Sequence, residues 1–450
     1  MKLAQGHFHK SLNLFDATNL VIGVMIGSGI FIVSADVARQ VASPGWFLLT
    51  WVLAGILTVM VSLIYGELAA LFPHAGGQYI YLKEAYNPLF GFLYGWTLFT
   101  VIQTGSIAAV GVAFAKFSGV LFPAISQKTL AVAAVLFLTF VNCHSLKVGK
   151  RIQNIFTVIK VLSLLLLVAA GFFWIHSGSA GFGEIAQISS WWTTPPDILL
   201  LIGVALVGPF FAFDAWNNIT FTGDEIKEAP KTLPRALAFG SLIVTILYLL
   251  VNLSYLNLLP FDAIQNASGD RVATAAILQV LGPVGEGVMA MAIMISTFGC
   301  LNGMILMGAR LYWAMSQDGL FFKAAGRLGV KNGVPQAGLI LQGIWSVVLT
   351  LSGTYGDLLD YVIFASVLSY VLTVVGLFRL RKKMPDTVHS YRTPFYPILP
   401  LLYVLLGTFF LVILLWKKPM YTWPGFIIVL SGIPVYYFWR WWGNRRREKH

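Results

Sequence analysis

Twelve apolar segments, most near twenty residues long and almost free of charge, run through this chain and leave it few ways to fold. They lie at approximately 15–38, 45–72, 89–118, 128–144, 151–175, 196–223, 234–258, 284–316, 336–352, 357–379, 397–416 and 422–441. A helical segment of that length rises far enough, at about 1.5 Å per residue, to cross a hydrocarbon core of about 30 Å. Lipid offers the backbone no hydrogen-bond partners, so only helices and closed barrels span it. The short alternating segments of roughly 10 residues that a barrel needs are missing. With 58% hydrophobic and 11% charged residues, the chain reads as an all-α polytopic membrane protein with twelve transmembrane helices.

Charge placement sets the expected topology. Of 30 Lys and Arg, the external segments hold only Arg39, Lys128, Arg271, Lys417 and Lys418, and Lys116 and Lys160 fall inside spans. The rest collect on one side, which the positive-inside rule makes cytoplasmic together with both termini. The net charge of +12 and the basic tail Arg445-Arg446-Arg447-Glu448-Lys449 are then topology anchors and require no nucleic acid. The start, Met1 to Lys10, shows no cleavable signal pattern. Cys143 and Cys300 supply no disulfide framework and no metal spacing, and read as packing residues. No cofactor is expected. The longest pieces between spans are 176–195, 259–283 and 317–335; Pro73–Pro88 reads as carrying a short interfacial helix.

Two spans are written to break. Span one carries Gly23-Val24-Met25-Ile26-Gly27-Ser28-Gly29-Ile30-Phe31 at its centre, and each Gly costs a helix about 0.8–1 kcal/mol relative to Ala. Small residues there suit either close helix packing or a ligand site where freed backbone groups face a cavity. Span six reads Gly208-Pro209-Phe210-Phe211-Ala212-Phe213-Asp214-Ala215-Trp216-Asn217-Asn218, a proline followed by an acid and two amides at membrane depth. Interrupted segments at matching positions of two halves point to a transporter's midplane site. The expected organisation is a 5+5 inverted repeat: 1–175 holds the first five spans, 196–383 the inverted second five, 397–441 spans eleven and twelve, and 442–450 the tail.

A helix broken at the midplane exposes N–H groups at one new end and C=O groups at the other. Two such breaks can clasp the zwitterionic head of an α-amino acid without a charged side chain. The carboxylate is assigned to the N–H groups around Ser28, Gly29 and Ile30, and the ammonium to the carbonyls of Met25, Ile26, Phe211 and Asp214, with Gly27 permitting close approach. Asp214 admits two roles: contact with the substrate's cationic group, or an N-cap on the second half of span six. Lys160, about nine residues into span five, either snorkels to the interface or faces inward near the span-one break. In the second case it supplies a built-in cation, which makes sodium coupling unnecessary and exchange of one amino acid for another the natural cycle; proton coupling through it stays open. Glu67 reads as a partner for a cytoplasmic Lys or Arg, and Lys116 as an interfacial residue.

Gly27-Ser28-Gly29-Ile30-Phe31 and Phe211-Ala212-Phe213-Asp214-Ala215-Trp216-Asn217 resemble the amino acid–polyamine–organocation superfamily. The runs Arg151-Ile152-Gln153-Asn154-Ile155-Phe156 to Lys160, and Ser296-Thr297-Phe298-Gly299-Cys300-Leu301-Asn302-Gly303 followed by Arg310 and Asp318-Gly319, narrow the likeness to its L-amino-acid transporter branch. The resemblance implies a LeuT-type fold, alternating access and amino-acid exchange. It also implies that Lys160 takes the place of a sodium ion, bridging span one to the stretch near Ser296. By the same likeness Phe211 gates the site, and Phe364 lies near the substrate's side chain. Members that pair with a glycoprotein carry an external cysteine, a role neither cysteine here fits; a stand-alone prokaryotic carrier in the cytoplasmic membrane is expected.

The expected activity is sodium-independent exchange of neutral L-amino acids, with side-chain selection by Phe211, Asp214, Asn217 and Phe364. A cationic amino-acid or polyamine carrier, or proton-coupled uptake, is the alternative. A receptor should carry an output domain and a channel a polar face along several whole spans; neither is written here. No nucleophile–base pair or metal set supports an enzyme.

Overall fold

The structure, a computed structural model, describes residues 8–41, 43–144, 146–173, 197–330, 332–352, 355–385 and 390–447. The stretch 176–195, the first seven residues, and Glu448 and Lys449 of the basic tail lie outside the described residues. Among the described residues the regular elements are all helical. In chain order they begin with α1 (Leu14–Met25), α2 (Gly29–Val41), α3 (Pro44–Leu71), α4 (Gln78–Ala85) and α5 (Pro88–Thr97). A π-helical turn, Leu98–Ile102, joins α5 to α6 (Gln103–Leu121); α7 (Gln127–His144) and α8 (Leu146–Phe173) follow. Next come α9 (Ile198–Ala205), α10 (Val207–Phe213), a 3-10 turn at Trp216–Phe221, α11 (Ala229–Leu258), α12 (Phe261–Gln265) and α13 (Val272–Leu281). The chain closes with α14 (Val284–Gln317), α15 (Gln336–Ser352), α16 (Tyr355–Lys383), α17 (Ile398–Lys417) and α18 (Pro419–Arg447).

Eight of the described helices are long and apolar enough to cross a membrane, and the bent pair α1–α2 makes a ninth. Segments of the other three expected spans are shorter or less uniform. The apolar helix Ile198–Phe213 and α15 are short, while α18 carries Pro424 and Pro434 and ends in a basic run.

Local chemistry explains where the helices start. Asn13 and Asp16 form a reciprocal capping box on α1, a device worth about 1 kcal/mol. Proline opens α3 and α5, where its missing N–H costs nothing. The helices then bury one continuous apolar core, with α3 lying along α11 and α14 against α6 and α8.

Phe8 packs edge-on to Trp313 and Trp439 edge-on to Phe322, so both terminal regions meet one end of the bundle. That end is fastened by ions. Glu67, fully buried, takes Arg381 through two bonds of 2.8 Å and the Thr393 N–H through a third. Arg310 and Glu225 pair at 3.0 Å with both side chains buried, and Lys150 reaches Asp16. Lys83 and the Tyr79 hydroxyl converge on Asp318, each at 2.6 Å. Breaking a buried pair such as Arg310–Glu225 costs about 3–5 kcal/mol, so this end is held together by more than apolar packing. Pro73–Pro88 carries the expected short helix, α4, and its Gln78, Tyr79, Tyr81 and Leu82 are buried against the rest of the protein. At the opposite end Lys116 bonds the Gly269 carbonyl and Arg39 pairs with Asp270.

Candidate functional site

Span one breaks where its glycines stand. Helix α1 ends at Met25, α2 begins at Gly29, and the two axes meet at 43°. In span six, α10 ends at Phe213. Asp214 is extended, with φ −70° and ψ 177°, and Ala215 takes the left-handed conformation at φ 66° before the 3-10 turn at Trp216. A non-glycine residue there carries a strain of order 1 kcal/mol, which the surrounding packing must hold.

The two breaks touch. A Cβ on Gly29 would sit 2.6 Å from both Cα and Cβ of Ala212, so the absence of a side chain at Gly29 is what lets span one approach span six. A single hydroxyl then joins them: Tyr248 on α11 donates toward the Met25 carbonyl at 2.8 Å and the Ala212 carbonyl at 3.2 Å. Tyr255, seven residues on and therefore on the same helix face, donates to Ile30 at 3.2 Å.

Lys160 lies inside. Its side chain is fully buried, and its ammonium donates to the carbonyls of Gly23 at 2.7 Å, Ile26 at 2.9 Å and Ser296 at 2.9 Å. Three donors meet three acceptors, two from span one and one from α14. Gly299 makes the room: a Cβ there would stand 2.7 Å from Phe156 and 3.3 Å from the Lys160 amine. The Ser296 hydroxyl adds bonds to Ile26 and Gly27 at 3.2 and 3.3 Å, and the Cys300 thiol donates to Val24 at 2.9 Å. Cys300 is therefore more than a packing residue: it closes one of the carbonyls that the break loosens.

Two cavities adjoin span six. The first is lined by Met25, Gly27, Ser28 and Gly29 from span one, Phe211, Ala212, Asp214 and Ala215 from span six, Ser106 and Val110 from α6, and Cys300 and Met304 from α14. The second lies between α3, α10, α16 and α17, with Thr58, Trp216, Ser366, Tyr370 and Tyr403 among its walls. Asp214 lines both. Its carboxylate accepts the Tyr370 hydroxyl at 2.6 Å, and the 3-10 turn after it has no side-chain cap.

Of the residues singled out from sequence, Met25, Gly27, Ser28, Gly29, Phe211 and Asp214 line one cavity. Ile26 and Ile30 complete the break behind it, and Lys160 and Ser296 fasten that break to α14. Asn217 sits one layer beyond Asp214, bonded to Gln78 at 3.0 Å and to the Tyr94 hydroxyl at 3.4 Å. Phe364 stands apart. Buried in α16, its ring meets Phe426 of α18 edge-on at 6.5 Å, and it lines neither cavity. Sequence reasoning missed Tyr248, Tyr255 and Tyr370; the spacing of Tyr248, Asn252 and Tyr255 along one face of α11 was the available signal.

A helical membrane bundle with two facing helix breaks, and an amine that locks the carbonyls of one of them to a neighbouring helix, has the construction of a solute carrier. The chain belongs to the amino acid permease family, whose model matches residues 12–438. It is 30% identical to the large neutral amino acids transporter small subunit 2 of Mus musculus, over 97% of this chain and 82% of that protein. It is also 30% identical to the Asc-type amino acid transporter 1 of Mus musculus, over 98% of this chain and 83% of the relative. The b(0,+)-type amino acid transporter 1 of the same organism is 28% identical, over 95% and 87%.

Proposed function

We propose that this protein is a sodium-independent exchanger of neutral L-amino acids. It works by alternating access in a twelve-span LeuT-type fold whose second five spans repeat the first five inverted. Both termini are cytoplasmic, so the ion-paired end is the cytoplasmic gate, and the protein sits in the cytoplasmic membrane without a glycoprotein subunit. The observation that carries this reading is the Lys160 ammonium held by carbonyls of Gly23, Ile26 and Ser296. An amine covalently tied to the protein offers a positive charge at the break that no sodium gradient can remove or supply. Span one then keeps one charge state through the cycle, and inward and outward passages are both made with an amino acid bound.

In this reading the N–H groups that open α2, around Ser28, Gly29 and Ile30, take the substrate carboxylate, as helix N-termini take anions. The carbonyls of Met25, Phe211 and Asp214 take the ammonium, while that of Ile26, already engaged by Lys160 and the Ser296 hydroxyl, fastens the break to α14. Phe211 covers the site, and the side chain lies toward Asp214 and Asn217, with Val110, Cys300 and Met304 opposite. The relatives named large neutral amino acids and Asc-type transporters support the neutral substrate class.

Purified protein in liposomes is expected to take up labelled alanine only when an amino acid is loaded inside. Equal uptake into empty vesicles driven by a sodium gradient overturns the proposal. One observation favours a second reading, a carrier of cationic amino acids: the Asp214 carboxylate on the cavity wall. Asp214→Ala, assayed with labelled lysine and labelled alanine side by side, separates the two. Loss of lysine uptake with alanine uptake retained supports the cationic reading, and an equal effect on both supports the neutral one.

A further inference from the structure

We propose that Gln78 is a positioning residue that relays the state of the Asp214 carboxylate to the closure of the ion-paired end; the inference rests on the proposed reading that Asp214 faces the substrate. Gln78 is the first residue of α4 and is fully buried. Its side-chain oxygen accepts the Asn217 amide at 3.0 Å, and its own amide donates to the Thr373 hydroxyl of α16 at 3.0 Å. The Thr373 hydroxyl passes its proton on to the Ser369 carbonyl at 2.8 Å. Because the two ends of the Gln78 amide meet opposite partners, turning it over would set donor against donor at Asn217.

Upstream, the relay starts at a phenol with one proton. Tyr370 gives it to Asp214 at 2.6 Å, while the Asn217 side-chain oxygen Oδ1 lies 3.5 Å from the same hydroxyl, at the far limit of a useful bond. The substrate ammonium, held at the carbonyls beside Asp214, also draws on its carboxylate and so competes with Tyr370 for it. The Tyr370 proton is then released toward Asn217. Asn217 bonds to Gln78, so the change arrives at the N-terminus of α4 through side chains that are all buried.

Helix α4 is where such a change has consequence. Its first turn through Tyr79 and its second through Lys83 are both tied to Asp318, at the C-terminus of α14, and Tyr86 just beyond it bonds the Leu372 carbonyl of α16. Burial, with Asp318 beside it, raises the Tyr79 phenol above its ordinary range, so it remains a donor. At its start Gly77 adopts φ 43°, and a Cβ there would come 2.1 Å from the Thr220 hydroxyl, pressing α4 onto the turn that contains Asn217. Helix α4 thus cannot leave the ion-paired end while Gln78 holds Asn217 and Thr373.

The test is a double-mutant cycle on the full-length protein, read by hydrogen exchange of the α4 amides. Asp214→Asn is expected to change α4 exchange about tenfold when Gln78 is present and by less than about twofold in the Gln78→Leu background. An equal response in both backgrounds overturns the relay. Thr373→Val, which removes one partner of Gln78 and nothing from the cavity wall, gives the same comparison if Gln78→Leu fails to fold. In liposomes, Gln78→Leu is expected to lower the ratio of exchange to efflux into amino-acid-free medium about tenfold, with the KM for external alanine within about twofold of the parent. A parent that moves no labelled amino acid refutes the proposed function and leaves the exchange cycle to judge the relay. An unchanged ratio in an active parent refutes the relay's part in transport.

Discussion

Replacement of Lys160 by alanine is expected to reduce exchange at least about a hundredfold while the protein still reaches the membrane. The ammonium bonds three carbonyls at once, and a hydrogen bond to a charged group contributes about 1.5–3 kcal/mol. Losing even one such contribution at the level of about 2.7 kcal/mol corresponds to about a hundredfold. The carbonyls of Gly23 and Ser296 would be left in a dry interior, and the Ser296 hydroxyl alone would hold Ile26. Methionine fills the same space without the charge and is expected to fail as alanine does. Arginine, longer and planar, does not fit the pocket that Gly299 opens for a compact ammonium. Initial rates of labelled alanine exchange in liposomes, normalised to reconstituted protein, check the result; wild-type rates in the methionine variant would remove Lys160 from the transport machinery.

The second large effect falls on Gly29. Valine at this position is expected to abolish transport, and alanine to slow it on the order of tenfold. The obstacle is the backbone of Ala212, 2.6 Å from the nearest possible Cβ, and backbone has no rotamer into which to retreat. Overpacking of this kind costs about 1–3 kcal/mol, and relieving it means moving the two breaks apart. In the proposed reading, that separates the groups that take the carboxylate from those that take the ammonium. The signature is a raised KM for every substrate in equal proportion, measured across a panel of amino acids. A change confined to large side chains would place Gly29 in side-chain selection instead.

Both results depend on features that local composition displays. Three glycines and a serine within seven residues, and a proline followed by Asp214 and two asparagines, cannot continue a helix in lipid, so the breaks are legible from propensity alone. Lys160 is legible because a lysine inside an apolar run is costly. What remained hidden is pairing across the chain. Glu225 and Arg310 are 85 residues apart, and nothing near either names the other. Tyr248, Tyr255 and Tyr370 are ordinary residues for a membrane helix, and their hydroxyls acquire meaning only against carbonyls that the fold brings to them. Phe364 shows the converse limit. A span apolar on every side does not disclose which face looks inward, and here that ring packs against α18. Burial of Gln78, Tyr79, Tyr81 and Leu82 in α4 was equally invisible, because a short helix with two tyrosines, a lysine and a glutamate suits a membrane surface as well as a packed interior.

Tyr248 has a further effect on recognition. One phenolic proton is shared between a carbonyl of span one and a carbonyl of span six, so neither can claim it fully without loosening the other. In the proposed reading, the two halves of the clasp therefore respond as a single receptor with one vote. A molecule that offers only an amine, or only a carboxylate, disturbs both halves but satisfies one. In the proposed reading, simple amines and simple acids of matching size should accordingly fail together as competitors, and discrimination for the complete α-amino acid head then draws on an oxygen that lines neither cavity.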